Sequence, residues 1–400
     1  MATRVIRHIA ELTTNDSALG DGSAMGRLVD AAIVVDDERV LWIGPNDEAP
    51  AADEMVDAHH GAVVPGFVDS HTHLVFAGER SDEFEARMAG QRYDGGGIGR
   101  TVRATREASR AHLHHGALRR LEELRRNGVT TVEIKSGYEL TVDGEVRLLE
   151  VAGALSAETT YLGAHVVPEE YAKDRDGYVE LVAGPMLGAC APFAKWADVF
   201  CDRGAFSVDE ARHVLEAAQA AGLQIRLHGN QLGSTGGVAL AVELDAASVD
   251  HCTFVDDVDV ERLAASSTVA TLLPGAEFST RSAYPSARRL LDAGVTVAIA
   301  TDCNPGSSYV TSMPFVIALA VREMAMTVDE ALWAATAGGA RALRRGDVGH
   351  LSVGARADFL ILDAPRAAHL AYRPGGAVVA ATFATALGPR PSGESQFAHQ

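Results

Sequence analysis

The sequence predicts an α/β chain in which a closed (β/α)8 barrel is joined to a small β-sandwich domain built from both termini. Three observations carry this. Short β-branched runs alternate eight times with Ala/Leu/Glu/Arg-rich helical segments between residues 63 and 349. The runs are apolar almost throughout, as parallel strands covered on both faces are. Residues 1–62 and 350–400 instead hold short strand-like pieces without a long amphipathic helix, "AAIVVDDERVLWIG" and "GHLSVGARADFLILDAP" among them. A doubly wound open sheet is the competing fold; eight units over about 285 residues match the size of a barrel.

Eight runs are expected as barrel strands: "VVPGFV" (63–68), "TTVEIK" (130–135), "TYLGA" (160–164), "ADVF" (197–200), "LQIRL" (223–227), "ASVD" (247–250), "TVATLL" (268–273) and "VTVAIA" (295–300). Between them, "SVDEARHVLEAAQAAG" (207–222) predicts a helix with Ser207 as N-cap, Glu210 closing a capping box and Gly222 ending it. The long crossover 80–129 carries "YDGGGIGRTVRATREAS". Its glycines do not follow a strand and no P-loop lysine is present, so a lid-like loop leading into a helix capped near Thr101 is expected rather than a phosphate cradle. The tail "GPRPSGESQFAHQ" reads as loose.

Composition narrows the function. A net charge of −19 argues against nucleic acid or an anionic membrane as partner, and means that an anionic substrate needs a local cationic clamp. No stretch reads as a signal peptide or a membrane span. Cys190, Cys201, Cys252 and Cys303 are widely spaced, which suits free thiols in a reducing, cytoplasmic compartment and excludes a thiolate zinc knuckle.

Barrel enzymes keep their chemistry at the C-terminal strand ends. There the sequence places His71 and His73, Lys135 and Tyr138, His165, His228, His251 and Asp302, in strand order. Residues i and i+2 of an extended segment share a face, so His71 and His73 can reach one cation. His228 and Asp302 offer a third nitrogen and an oxygen from across the barrel, a donor set for zinc or iron. Taken alone, His-x-His is equally a turn pair. Lys135 is expected in a buried ion pair, and Cys252 and Cys303 as packing residues.

The segments "PGFVDSHTHLVFAGER", "EIKSGYEL", "TYLGAHVVP", "DVFC", "RLHGNQL", "VDHC", "LLPGAEF" and "ATDCNPGSS" resemble the amidohydrolase superfamily and, within it, the imidazolonepropionase family. That resemblance implies hydrolysis of the ring C–N bond of the small molecule 4-imidazolone-5-propanoate to N-formimidoyl-L-glutamate, the third step of histidine degradation. It implies one zinc or iron ion per subunit on His71, His73, His228 and Asp302, and a homodimer. Arg80 would grip the substrate carboxylate, with Tyr138, His165, Gln231, Asn304, Gly306 and Ser307 around the substrate. His165 would donate a hydrogen bond to its carbonyl. His251, whose imidazole class titrates near neutrality, is the expected base, with Asp302 its rival and Gln231 beside the attacking water. The alternatives are a related mononuclear cyclic amidohydrolase, a nucleobase-type deaminase, and a scaffold without activity. The chain departs from the family pattern at Asn230-Gln231, at Glu139 and over 276–284. Neutral Gln231 cannot shuttle a proton, which shifts that work to His251 or Asp302.

Overall fold

The computed structural model describes residues 2–91 and 97–385. The tail beyond and the glycines 95–96 of the crossover lie outside the described residues. The terminal segments form a seven-stranded sheet from β1 (Arg4–Thr13), β2 (Arg27–Val35), β3 (Val40–Pro45), β4 (Glu54–Asp57) and β5 (Val63–Pro65), with β15 (Phe359–Leu362) and β16 (Val379–Phe383) from the other end of the chain. Its pairs are mostly antiparallel, and alternate residues of β1 and β2, such as Ile9, Ile33 and Val35, bury against Phe359 and Leu351.

The second sheet is parallel: β6 (Phe67–Asp69), β7 (Val129–Lys135), β8 (Glu158–Ala164), β9 (Trp196–Cys201), β10 (Gln224–Ile225) with β11 (Leu227–Gly229), β12 (Ser248–His251), β13 (Val269–Leu272) and β14 (Val297–Ile299). The β10–β11 pair occupies one barrel position, interrupted at Arg226, so the ring has eight. The ladder runs unbroken from β6 to β14. The last gap closes through the segments that follow those two strands: Asp302 N–H donates to the His71 carbonyl at 3.1 Å, and His73 N–H donates to the Cys303 carbonyl at 3.0 Å. Below this seam Asp69 accepts from the Thr301 N–H and hydroxyl, at 3.0 and 2.6 Å. The barrel is therefore sewn shut by the candidate metal-binding segments themselves.

All eight expected runs carry strand, but two are divided: 223–227 breaks at Arg226, and 63–68 spans both sheets. The run 63–68 is two strands in two sheets: Val63–Pro65 pairs with β1 and β15, whereas Phe67–Asp69 joins β7. Gly66 makes the transfer, at a place where a Cβ would lie 2.2 Å from the Thr130 hydroxyl. The helix Val208–Ala220 has the expected Ser207–Glu210 capping box, and Gly222 follows it in the left-handed region at φ +86°. In the 80–129 crossover lie α1 (Ser81–Met88), α2 (Ile98–Glu107) and α3 (Arg110–Arg126). Thr101 is not a cap. It sits a turn inside α2, buried, because its hydroxyl faces Arg80 rather than the helix start. Among the described residues no helix is long and apolar enough to cross a membrane, and all four cysteines are unbonded and buried.

Behind β6 and β14, the helical stretch Ala334–Gly338 ends in Gly338–Gly339. A Cβ at Gly339 would stand 2.3 Å from the Val68 carbonyl oxygen, and one at Gly338 2.4 Å from the Val297 carbonyl oxygen. These are backbone clashes that no rotamer relieves. Gly339→Ala is expected to cost about 1–3 kcal/mol by overpacking and to lower the thermal midpoint; an unchanged midpoint would mean that β6 has room to move.

Candidate metal and active site

His71 and His73 leave β6 on one face and meet His228 from β11 and Asp302 from beyond β14. The Nε2 atoms of His71 and His73 are 3.3 Å apart, and those of His73 and His228 also 3.3 Å. Asp302 Oδ1 lies 3.5 and 3.6 Å from the His71 and His73 Nε2 atoms. All four residues are buried. The Nδ1 atoms of His71 and His228 face carboxylates, so each carries its proton there and presents an Nε2 lone pair inward. Lone pairs facing one another at this distance repel, and a cation between them turns the repulsion into coordination. Donors about 2.1 Å from one zinc at tetrahedral angles stand roughly 3.4 Å apart, so the spacing fits. Burial, with neighbouring positive groups, pushes His71 and His73 well below the ordinary imidazole range and keeps them neutral, the ligating form. Burial pushes Asp302 the other way, well above the usual carboxylate range, with Glu277 adding to the rise. A carboxyl in this state gains most from a cation.

Two buried relays orient the ligands. Asp250 accepts from His71 Nδ1 at 2.7 Å and meets the Arg226 guanidinium at 3.3 Å. Asp198 accepts from His228 Nδ1 at 2.9 Å, while its other oxygen meets Lys135 Nζ at 2.9 Å. Burial raises both carboxyls, but their partners overcome it: the His228 ring and the Lys135 ammonium at Asp198, Arg226 and Lys135 at Asp250. Both end below the usual range. Lys135 is thus in a buried ion pair, as expected, and shares Glu133 Oε1 at 2.9 Å. Glu133 in turn accepts from the N–H of Thr72, the residue between the two histidines, at 3.0 Å. Asp198, Asp250, Glu133 and Arg226 escaped the sequence reading. Their signal was a charged residue inside an otherwise apolar strand, which a buried sheet tolerates only when it is paired.

Around this centre the remaining expected residues divide. Tyr138 and His165 line it, with ring centroids 6.0 and 5.4 Å from His73. His165 Nδ1 is 2.9 Å from the Gly137 carbonyl and must carry the proton. Burial pushes this ring down to about 3, so the neutral Nε2 is an acceptor. The expected donation from His165 is reversed. His251 contributes a ring nitrogen within 4.8 Å of ligand atoms of His71 and His228, from backbone at φ +78°. Burial pushes it to about 3 as well, aided by His228, so it does not titrate near neutrality as its residue class suggested. Gln231 holds its place through its N–H, which donates to Asp202 at 2.7 Å.

Arg80 is 7% exposed and already holds a carboxylate: Glu83 accepts from its Nε at 3.0 Å and its Nη2 at 2.7 Å. Gly306 lies against the guanidinium so closely that a Cβ there would sit 2.5 Å from Nη1. Asn304 serves the loop beneath. Its amide donates to the Asp302 carbonyl and the Ser307 hydroxyl, and accepts from the Gly306 and Ser307 N–H groups at 2.8 Å each. Asn304 and Ser307 therefore shape the seat of Arg80 with the polar atoms expected to line the pocket. Glu139 points away from the centre, to Arg147.

Lys135→Met removes the cation shared by Asp198 and Glu133. Metal affinity, measured by competition with a chromophoric chelator, is expected to fall about 10–100-fold. Unchanged affinity would confine Lys135 to holding the barrel together.

Residues 62–386 match the model of the Amidohydrolase family. The chain is 60% identical to the imidazolonepropionase of Streptomyces griseus subsp. griseus over 383 residues, covering 96% of this chain and 98% of that one. It is 61% identical to that of Mycolicibacterium smegmatis, covering 96% of each. Among solved structures, a variant of the atrazine chlorohydrolase TrzN from Arthrobacter aurescens, complexed with zinc and atraton, superposes with a TM-score of 0.71 at 18% identity, over 95% of this chain and 93% of that one. A zinc-bound adenosine deaminase from Xanthomonas campestris superposes at 0.69, also at 18% identity, over 95% and 91%. Those two share the fold. By its family model and its curated relatives, the chain belongs to the amidohydrolase family and, within it, to the imidazolonepropionases.

Proposed function

We propose that the protein is a metal-dependent hydrolase that opens 4-imidazolone-5-propanoate at its ring C–N bond, giving N-formimidoyl-L-glutamate in histidine degradation. One observation carries the reading: four convergent buried ligands and a buried, fork-bound guanidinium share one end of the barrel, in a chain 60% identical to an imidazolonepropionase over nearly its whole length. His71, His73, His228 and Asp302 hold one zinc or iron ion per subunit. The chemistry that such an ion would supply there is Lewis-acid polarisation and a water acidified toward neutrality.

The chain's own groups do the rest. The propanoate carboxylate takes the fork of Arg80, whose geometry Glu83 already displays. Glu83 has a second partner in Arg100, at 3.4 Å, which remains to it when the substrate takes the fork. Gly306 keeps the guanidinium in place from below. His165 Nε2 accepts from a ring N–H of the substrate, and Tyr138 closes the apolar side. His251 stays neutral across the working range and orients the attacking water by hydrogen bonding, with Gln231 across from it. A nucleobase deaminase reading is disfavoured by Gln231, an amide where such an enzyme needs an acid, and by the carboxylate fork.

Assay with freshly prepared imidazolonepropionate should yield formimidoylglutamate, while cytosine and guanine derivatives release no ammonia. His228→Ala is expected to lose both bound metal and turnover. Arg80→Ala should raise KM by the equivalent of about 2–4 kcal/mol of charge-pair binding; an unchanged KM would remove Arg80 from the substrate site.

A further inference from the structure

We propose that Glu277 is the proton carrier of this reaction, filling the role that the amide of Gln231 cannot fill. The inference rests on the hydrolase reading above. Glu277 belongs to the helix Pro274–Thr280, which begins directly beyond β13, between the strands that deliver His251 and Asp302. Its side chain is 2% exposed. Oε1 accepts from the Thr253 hydroxyl at 2.7 Å, two residues past His251, and Oε2 is buried without a hydrogen-bond partner. Glu277 is also close enough to Asp302 to raise that carboxyl's pKa.

Such a carboxyl is poorly explained as a structural element. Burial pushes it up to about 7, opposed by the Thr253 hydroxyl and its own backbone N–H. Asp69 is raised equally, but both of its oxygens are occupied by Thr301 below the seam. The charge of Glu277 reaches Asp302, and also Tyr284, which burial and Glu323 raise before Glu277 adds to the rise. The helices packed on it bring Asp82, Glu83, Glu85 and Arg87 from α1, and Arg322 and Glu323 from Met313–Glu323. Arg87 donates to the Gly306 carbonyl.

The step balances. The water oxygen bonds to the ring carbonyl carbon as one water proton passes to the Glu277 carboxylate. The ring C–N bond breaks, and the same proton passes from Glu277 to the departing nitrogen, which restores the carboxylate. The second water proton leaves when the new carboxyl group ionises. The carboxylate form starts the cycle, so kcat should rise with pH through a limb set by the ionisation of Glu277.

The test compares metal-loaded enzymes across pH. Glu277→Gln is expected to lower kcat about 10²–10⁴-fold, with metal content kept, KM little changed and the limb lost. Formate should restore part of the turnover of Glu277→Ala. Thr253→Val removes a hydroxyl that favours the carboxylate, and should move the limb upward, an effect readable even if the Glu277 variants do not fold. A Glu277→Gln enzyme within threefold of the parent kcat, or a limb unmoved by Thr253→Val, would overturn the proposal. Absence of turnover by the parent enzyme would instead remove the hydrolase reading itself.

Discussion

Everything at the barrel mouth depends on the buried pairing of Asp198 and Asp250 with imidazole on one side and a cation on the other. An isolated carboxylate in this interior would be driven to its neutral form by the cost of desolvation. Lys135 and Arg226 hold both acids ionised, and ionised acids fix the proton of His71 and His228 on Nδ1. The Nε2 lone pairs then have one direction left to point. Replacing such an ion pair by apolar residues is often neutral or stabilising for a fold. Its presence on the two strands that flank β11 fits orientation of the ligands better than it fits stability.

The same region carries local strain. His251 and Asp302 both adopt left-handed backbone, at φ +78° and +52°, where non-glycine residues are uncommon. At Asp302 the conformation has a visible return: its N–H reaches the His71 carbonyl and closes the last gap between β14 and β6. The glycine pair Gly338–Gly339 supports that seam from behind by letting a helix lie on the backbone of both strands. Ring closure and ligand geometry are one constraint met by one set of hydrogen bonds.

Much of this was legible in the sequence because periodicity reports local chemistry. Eight apolar runs and their terminal histidines could be read along the chain, as could the Ser207–Glu210 box. What could not be read depends on neighbours from elsewhere. The split of 63–68 into two strands is decided by Thr130 crowding Gly66 and by the pairing of Val63–Pro65 with a strand nearly three hundred residues away. The Arg80–Glu83 fork and the reversed role of His165 follow from partners that spacing does not show. The downward shift of His251 has the same origin. Residue class gives the pKa in water, and burial moved it by more than the class range.

Two sets of buried groups pull acid stability in opposite directions. His71 and His73 have folded pKa values well below 6.5, so the unfolded chain binds protons there that the native state refuses. Their contribution falls as pH drops below about 6.5. Asp302, Asp69 and Glu277 are raised, so they favour the native state in acid and oppose it as pH climbs from about 4 toward their folded values. Without a cation both penalties act together between about pH 4 and 7. A cation on the three imidazoles and Asp302 removes the part of each that belongs to its ligands, because it stabilises the neutral imidazole and the ionised carboxylate alike. Glu277 lies outside that ligand set, with one carboxylate oxygen held by Thr253 and the other without a hydrogen-bond partner.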